Sequence, residues 1–306
     1  MVIRGQFTDF FLSTALPALR MVVWNKFKQY PPVYNKVFDV QSSDRSIEQT
    51  SQVSGVGLFA QIDEGAAVRY DQPVQGFDKT FTHVRFGLGV KFSRDTVEDD
   101  KMGLVGRQNA EMARSARETI EIQAASDFNN GFDTAYAGPD GKPLFSATHP
   151  LYKSGGTQSN LLSTPADLSV ESLQLAMTDF ETQKDSSGKF IAVPCRRVMV
   201  APSNRWNVNE ILKSALRADT ANNAVNTFKN AEDGLPDPLI WRHLTDPDAW
   251  FLIAEPSSTG LLWFWRRKPY LKGFVDDETE TASTAMRYRM SHGWSDFYGV
   301  YGTPGA

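Results

Sequence analysis

The segment from Gly55 to Phe92 constrains this chain most, because it alternates like a pair of strands yet carries no core of its own. Val56, Leu58, Ala60 and Ile62 alternate with Gly57, Phe59, Gln61 and Asp63. On the return side Val84, Phe86, Leu88, Val90 and Phe92 alternate with His83, Arg85, Gly87, Gly89 and Lys91. Period-two patterning marks strands with one apolar face. Between them, residues 64–78 are rich in Gly, Pro and charge, as a loop tip is. The pattern therefore predicts an extended β-hairpin. Two strands alone are marginal in water, so this arm must lie on something, and a neighbouring copy of the same chain is the natural surface.

The N-terminus makes a similar demand. Phe7, Phe10, Phe11, Ala15, Leu19, Val22, Val23 and Phe27 recur at helical spacing, with a kink expected at Pro17. Asp9 interrupts the one stretch that resembles a secretion signal. No run approaches the about 18 apolar residues of a membrane span. The spacing thus predicts an amphipathic helix whose apolar face also needs a partner. After it come Pro31-Pro32 and a polar stretch, Gln41 to Gln52.

A helical region is expected from Ser93 to Asn130. Asp95 followed by Glu98 resembles a capping box, Gly103 and Gly106 bend its first turns, and Gly131 stops it. Met112, Ala116, Ile120, Ala124 and Phe128 climb in steps of four, one buried stripe of a long helix. Residues 133–165 read as loop. Then come a helix from Ser169 to Gln183, a strand at 197–201, a helix at 203–216, strands at 250–254 and 261–265, and a final strand at 286–301 that returns to the first half. The elements interleave without regular βαβ spacing, so the fold class is α+β.

At 306 residues the chain is long enough for two or three compact units. Its 32 basic and 36 acidic residues, net -4, argue against a dedicated nucleic-acid binder but not against a shell whose wall tolerates packed nucleic acid. Cys195 is the only cysteine, which excludes an intrachain disulfide and cysteine-rich zinc sites; its placement at the start of an apolar strand reads as structural. Gly55-Val56-Gly57-Leu58-Phe59-Ala60 matches a dinucleotide-loop spacing, but the required strand before it and helix after it are missing from the pattern. His83, His149, His243 and His292 are too scattered to suggest local metal ligation. Asp276-Asp277-Glu278 with Glu280 reads as a solvated turn, and Asp99-Asp100 as charge at a helix N-terminus. Trp263-Phe264-Trp265-Arg266-Arg267 mixes aromatics with cations as single-strand binders do, yet a core strand ending in surface charge accounts for it. No catalytic constellation, cofactor site or metal site is expected.

Leu144-Phe145-Ser146-Ala147-Thr148-His149-Pro150 carries a resemblance, together with Ser159-Asn160-Leu161-Leu162, Arg197-Val198-Met199-Val200-Ala201-Pro202 and Ile211-Leu212-Lys213-Ser214. With these motifs in this order the chain resembles tailed-bacteriophage major capsid proteins, most of all the Mu-like prophage major head subunits. The resemblance implies a Hong Kong 97-type fold with an N-terminal arm at 1–50, an extended loop at 51–92, a peripheral domain at 93–135 and 271–306 holding a spine helix, and an axial domain at 136–270. It implies a structural virion protein, not an enzyme. Such a subunit forms hexamers and pentamers of an icosahedral shell around double-stranded DNA, assembled in the bacterial cytoplasm, with portal, scaffold or decoration proteins as further partners. An encapsulin-like compartment shell is the alternative. Some capsids of this fold form a Lys–Asn isopeptide bond; Lys79 is placed for it, but no Asn follows Asn230, so a non-covalent shell is expected. The chain begins directly with its arm, so a scaffold or protease is expected as a separate protein or a removed precursor segment. Arg69, Asp71, Asp78 and Lys79 in the loop, with Phe10 and Phe11 in the arm, are the candidate inter-subunit contacts.

Overall fold

The computed structural model describes residues 4–100, 103–214, 228 and 236–306. In chain order it opens with helix α1 (Arg4–Phe10), a π-helical turn (Phe11–Ala15) and α2 (Leu16–Gln29). Strands β1 (Asp39–Ser42), β2 (Ile47–Val53), β3 (Gln75–Thr82) and β4 (Val84–Ser93) follow. Next come α3 (Arg94–Glu98), the long α4 (Leu104–Asn129), the short β5 (His149–Pro150) and β6 (Thr157–Gln158), and α5 (Val170–Glu181). The chain closes with β7 (Arg197–Val200), α6 (Arg205–Lys213), β8 (Asp237–Ile240), β9 (Trp250–Ile253), β10 (Leu261–Asp276), β11 (Thr281–Trp294) and β12 (Val300–Thr303). The class is α+β, as the unpatterned interleaving implied.

Two four-stranded sheets carry the fold, ordered β1-β10-β11-β4 and β12-β9-β7-β8. The second sheet is buried on both faces. Val198, Val200, Trp250, Leu252 and Tyr301 point into a core closed by α5 and α6, while Met199, Phe251, Ile253 and Val300 point into the core beneath α4. Two-sided burial is why β7 and β9 read as unbroken apolar runs rather than alternating ones.

The stripe on α4 is where the sequence placed it. Met112, Ile120, Ala124 and Phe128 are buried and Ala116 packs against the same core. The helix begins at Gly103, whose φ of 68° is left-handed, and Asp100 caps it by accepting from the N–H groups of Leu104 (2.7 Å) and Val105 (3.0 Å). Gly106 lies inside the helix without breaking it. Gly131 marks the end for a different reason from a left-handed cap: a Cβ there would lie 2.8 Å from the Phe145 ring. Ser93, not Asp95, caps α3. On α5, Ser169 and Ser172 exchange the two hydrogen bonds of a capping box. The helix expected at 203–216 is observed to Lys213, and its last two residues lie outside the described residues.

Three expectations need correction. The hairpin does not pair 56–62 with 84–92. Its outgoing strand is the polar β2, which pairs antiparallel with β3, and residues 54–74 between them form no strand. The alternating segment 84–93 is β4, and it pairs with β11, far along the chain. Period-two alternation identifies a strand but not its partner. The arm helix also finds its surface at home. Phe7, Phe11 and Leu19 pack with Phe92, Val105 and Ala282, and Val23 and Phe27 join the core against α4. The π-helical turn occupies the five residues before Leu16, and Pro17 sits in the first turn of α2, where a missing N–H costs little. Finally, the single strand expected at 286–301 is two strands in two different sheets, separated by Gly299 with φ 72°.

Candidate functional site

The 54–74 loop leaves the ribbon of β2 and β3 through a tied neck. Ser54 N–H donates to the Val74 carbonyl and Val74 N–H donates to Ser54 Oγ, both at 2.9 Å. One step out, Gly57 N–H donates to Asp71 Oδ2 at 2.6 Å. Lys153, from the turn joining β5 to β6, grips both legs: its ammonium donates to Asp71 Oδ2 (2.8 Å), Gly55 O (2.8 Å) and Gln72 O (3.4 Å). Ser187 Oγ adds a bond to Gly55 O at 3.0 Å. Beneath the neck, Gly76 lies against the Tyr152 ring, where a Cβ would approach to 2.6 Å, and Phe77 meets the same ring edge-on. The loop is therefore anchored at its base and free beyond it.

Beyond the neck the loop displays apolar side chains to solvent. Leu58 is 82% exposed, Phe59 101% and Tyr70 90%. Val56, Ile62 and Val68 are also exposed. Apolar side chains left this exposed are unusual on a single chain and candidates for contact with a partner. The tip turns at Asp63, whose carbonyl accepts from Ala66 N–H at 3.0 Å, with Gly65 at φ 80°.

The predicted contact residues divide. Arg69 stands exposed on the loop and Phe10 is exposed on the arm. Asp71 is committed to the neck, Asp78 accepts from Gln75 within β3 (3.2 Å), and the Lys79 ammonium sits 5.4 Å from the centre of the Trp294 ring. Phe11 is fully buried in the arm's own core and is not presented to a neighbour. Sequence reasoning missed Tyr70, which stands alone between charged residues, and Lys153, whose role depends on a turn far along the chain. The alternation in 55–62 did flag Leu58, though for a strand that does not form.

The Asp71 carboxyl is held below its usual pKa, first by the hydrogen bond from Lys153 and then by Gly57 N–H. A depressed carboxylate stabilises above its unfolded pKa and loses that contribution as pH falls through the folded value. The neck is therefore complete at neutral pH and loosens in acid. Lys153→Met is expected to speed amide exchange across 54–74 at neutral pH while leaving the global urea midpoint in place. Unchanged exchange would mean that Ser54 and Ser187 hold the neck without the lysine.

His149 and His83 are built into the fold. His149 presents Nδ1 to Asp140 Oδ2 (2.6 Å) and Nε2 to Asn160 Oδ1 (3.1 Å), with its ring stacked on Phe297. His83 lies between the hydroxyls of Ser43 and Ser291, each at 3.0 Å, and Ser43 Oγ donates to Glu48 at 2.5 Å, away from the imidazole. Among the described residues no three His, Cys, Asp or Glu side chains cluster as metal ligands. Burial pushes the Cys195 thiol up to about 12, and a thiol in that state is a poor nucleophile. A chromogenic disulfide reagent at pH 8 is expected to react with Cys195 promptly in denaturant and only at the rate of unfolding in the native protein. Prompt native reaction would restore a role for the thiol in chemistry.

A family model described as a phage capsid protein matches residues 77–302. The fold is similar to a solved structure from Mycobacterium phage Adephagia, at 8% identity and a TM-score of 0.56, covering 90% of each chain. A structure from Microbacterium phage Oxtober96 matches at 9% identity and a TM-score of 0.54, covering 90% of this chain and 91% of that one. The procapsid of bacteriophage JBD30 matches at 17% identity and a TM-score of 0.51, covering 95% of this chain and 75% of that one. At these identities the likeness is one of fold. No curated protein matches the sequence.

Proposed function

Because the chain belongs to the phage capsid protein family, a family of structural proteins, we propose that copies of it tile as hexamers and pentamers into an icosahedral shell enclosing double-stranded DNA. The observation that carries this reading is the 54–74 loop, whose apolar side chains have no cover within their own chain. In the shell a neighbouring copy covers them. The reading places the protein in the Hong Kong 97-type, Mu-like branch, with arm, extended loop, peripheral and axial domains at 1–50, 51–92, 93–135 with 271–306, and 136–270. Arg69 and Phe10 then contact neighbours directly, and Asp71, Asp78 and Lys79 shape the ribbon that does so. Ring-to-ring differences between five-fold and six-fold positions fall on the loop, while the buried cores stay fixed. Many weak contacts per copy hold the shell by multivalency, without covalent links. Portal, scaffold and decoration proteins join it in the host cytoplasm.

Electron microscopy of the purified protein, with nuclease protection of its contents, tests the reading. Closed particles holding nuclease-resistant DNA are expected, and a denaturing gel without added crosslinker should show single subunits. Particles filled with a protein cargo would point instead to a storage compartment. A monomer at every concentration would overturn both.

A further inference from the structure

A concave surface is built from residues outside the loop. A cleft of about 510 Å³ opens where the end of α2, the middle of α4, the start of α6 and the residues after β8 meet. Four arginines line it: Arg114, Arg117, Arg205 and Arg242. Against these four stand two carboxylates, Glu118 and Glu121. Glu121 is already engaged, accepting from Val33 N–H (2.9 Å) and from Trp241 Nε1 (3.1 Å). Burial also raises its pKa and so weakens it as a counter-charge.

The exposed arginines lack equivalent partners. Arg117 sits over the Phe27 ring, 3.9 Å from its centre, with Tyr34 and Glu121 near its charge, and its buried Nε has no hydrogen-bond partner. A buried guanidinium donor left unpaired is costly and favours an incoming acceptor. Arg205 and Arg242 are exposed and enter no ion pair among the described residues. Arg114 has a surface contact with Glu111 at 3.6 Å, of a kind worth little, and lies 6.0 Å from the centre of the Tyr30 ring.

We propose that this cleft binds a phosphate-type polyanion, a phosphodiester or polyphosphate segment gripped by Arg114, Arg117, Arg205 and Arg242. Guanidinium forks match phosphate oxygens in pairs, which a lysine cluster would not do as well. The volume suits several linked phosphates better than a single ion, and it lies in the range of ligand clefts. Two sources share this chemistry: the backbone of nucleic acid and a free oligophosphate. The nucleic-acid source rests on the capsid reading above; the oligophosphate source does not.

The test titrates the unassembled full chain with sodium tripolyphosphate and, separately, with a short DNA duplex at low salt. Amide exchange over 114–121 and 240–243 reports on the cleft. Saturable binding that protects those segments is expected, weakened about tenfold in Arg242→Gln, the loss of one charge-assisted contact. Arg20→Gln, an exposed arginine outside the cleft, serves as the charge control and should bind as the parent does. Arg205→Gln provides a second exposed variant in case Arg242→Gln folds poorly. Duplex binding without tripolyphosphate binding assigns the site to nucleic acid, and comparable binding of both assigns it to oligophosphates generally. The proposal fails if neither probe binds or if the cleft variants bind as tightly as the control. Particle formation is read separately, so loss of the cleft proposal leaves the shell reading standing.

Discussion

Replacing Leu58, Phe59 and Tyr70 together by serine is expected to leave the subunit folded and abolish closed particles. All three side chains lie at or near full exposure in the single chain, so their removal takes nothing from its buried cores. Surface substitutions of this kind usually shift stability by no more than about 0.5 kcal/mol. In an assembly the balance reverses. Burying a side chain such as Leu or Phe contributes roughly 1.5–3 kcal/mol each relative to exposure, and every copy in a shell repeats the contact. Assembly depends steeply on such repeated terms, so a few kcal/mol per contact separates closed particles from free subunits. Light scattering and electron microscopy read the result, with urea unfolding of the unassembled variant as the control. Full-size particles from the triple variant would remove the loop from assembly, and the proposed function would lose the observation on which it stands.

Phe128→Ala is expected to be the most damaging single change to the fold itself. Phe128 projects from the last turn of α4 into a node of rings whose centroids lie 5.3 Å away at Phe251, 6.0 Å at Trp241, 6.1 Å at Phe145 and 6.3 Å at Phe38. These rings come from the residue before β1, from the loop after α4, from β9 and from the residue after β8. The node therefore joins the spine to both sheets. A buried Phe→Ala substitution costs about 3–5 kcal/mol, against typical total stabilities of about 5–15 kcal/mol. The urea midpoint of the unassembled variant should fall accordingly with an unchanged slope. A loss below about 1 kcal/mol would mean that the surrounding rings collapse to fill the space.

Helices and continuous buried strands were legible because their signals are local. The α4 stripe repeats every fourth residue over one element. Ser169 and the apolar residues of α5 lie within about three turns of each other, and β7 and β9 announce two-sided burial by lacking alternation. Strand partnership was not legible. β4 alternates cleanly, but nothing within it distinguishes a return strand of a hairpin from a strand pairing with residues 281–290. β2 was missed outright. It is polar and lies at the solvent edge, so it shows no apolar face to find. Pairing alone makes it a strand.

The same contrast separates the arm from the loop. Both show apolar patterning, and both were expected to need a neighbour. The arm buries most of its apolar stripe internally, though not Phe10 or Val22, because α4 and the β10-β11 sheet offer it a surface; its tether, from Thr8 Oγ1 to Asp277 Oδ1 at 2.6 Å, spans 269 residues. The loop is not satisfied, because Lys153 and Ser187 fasten its base and hold its apolar side chains away from the body. Sequence by itself determined the α+β class, the spine helix with its buried stripe, the absence of an apolar membrane-length run and the demand for additional contact surface. Tertiary structure alone decided which strand pairs with which, and which of two greasy segments remains uncovered. The reason is physical: propensity and periodicity act over a few residues, whereas pairing and burial are settled by contacts between parts of the chain hundreds of residues apart.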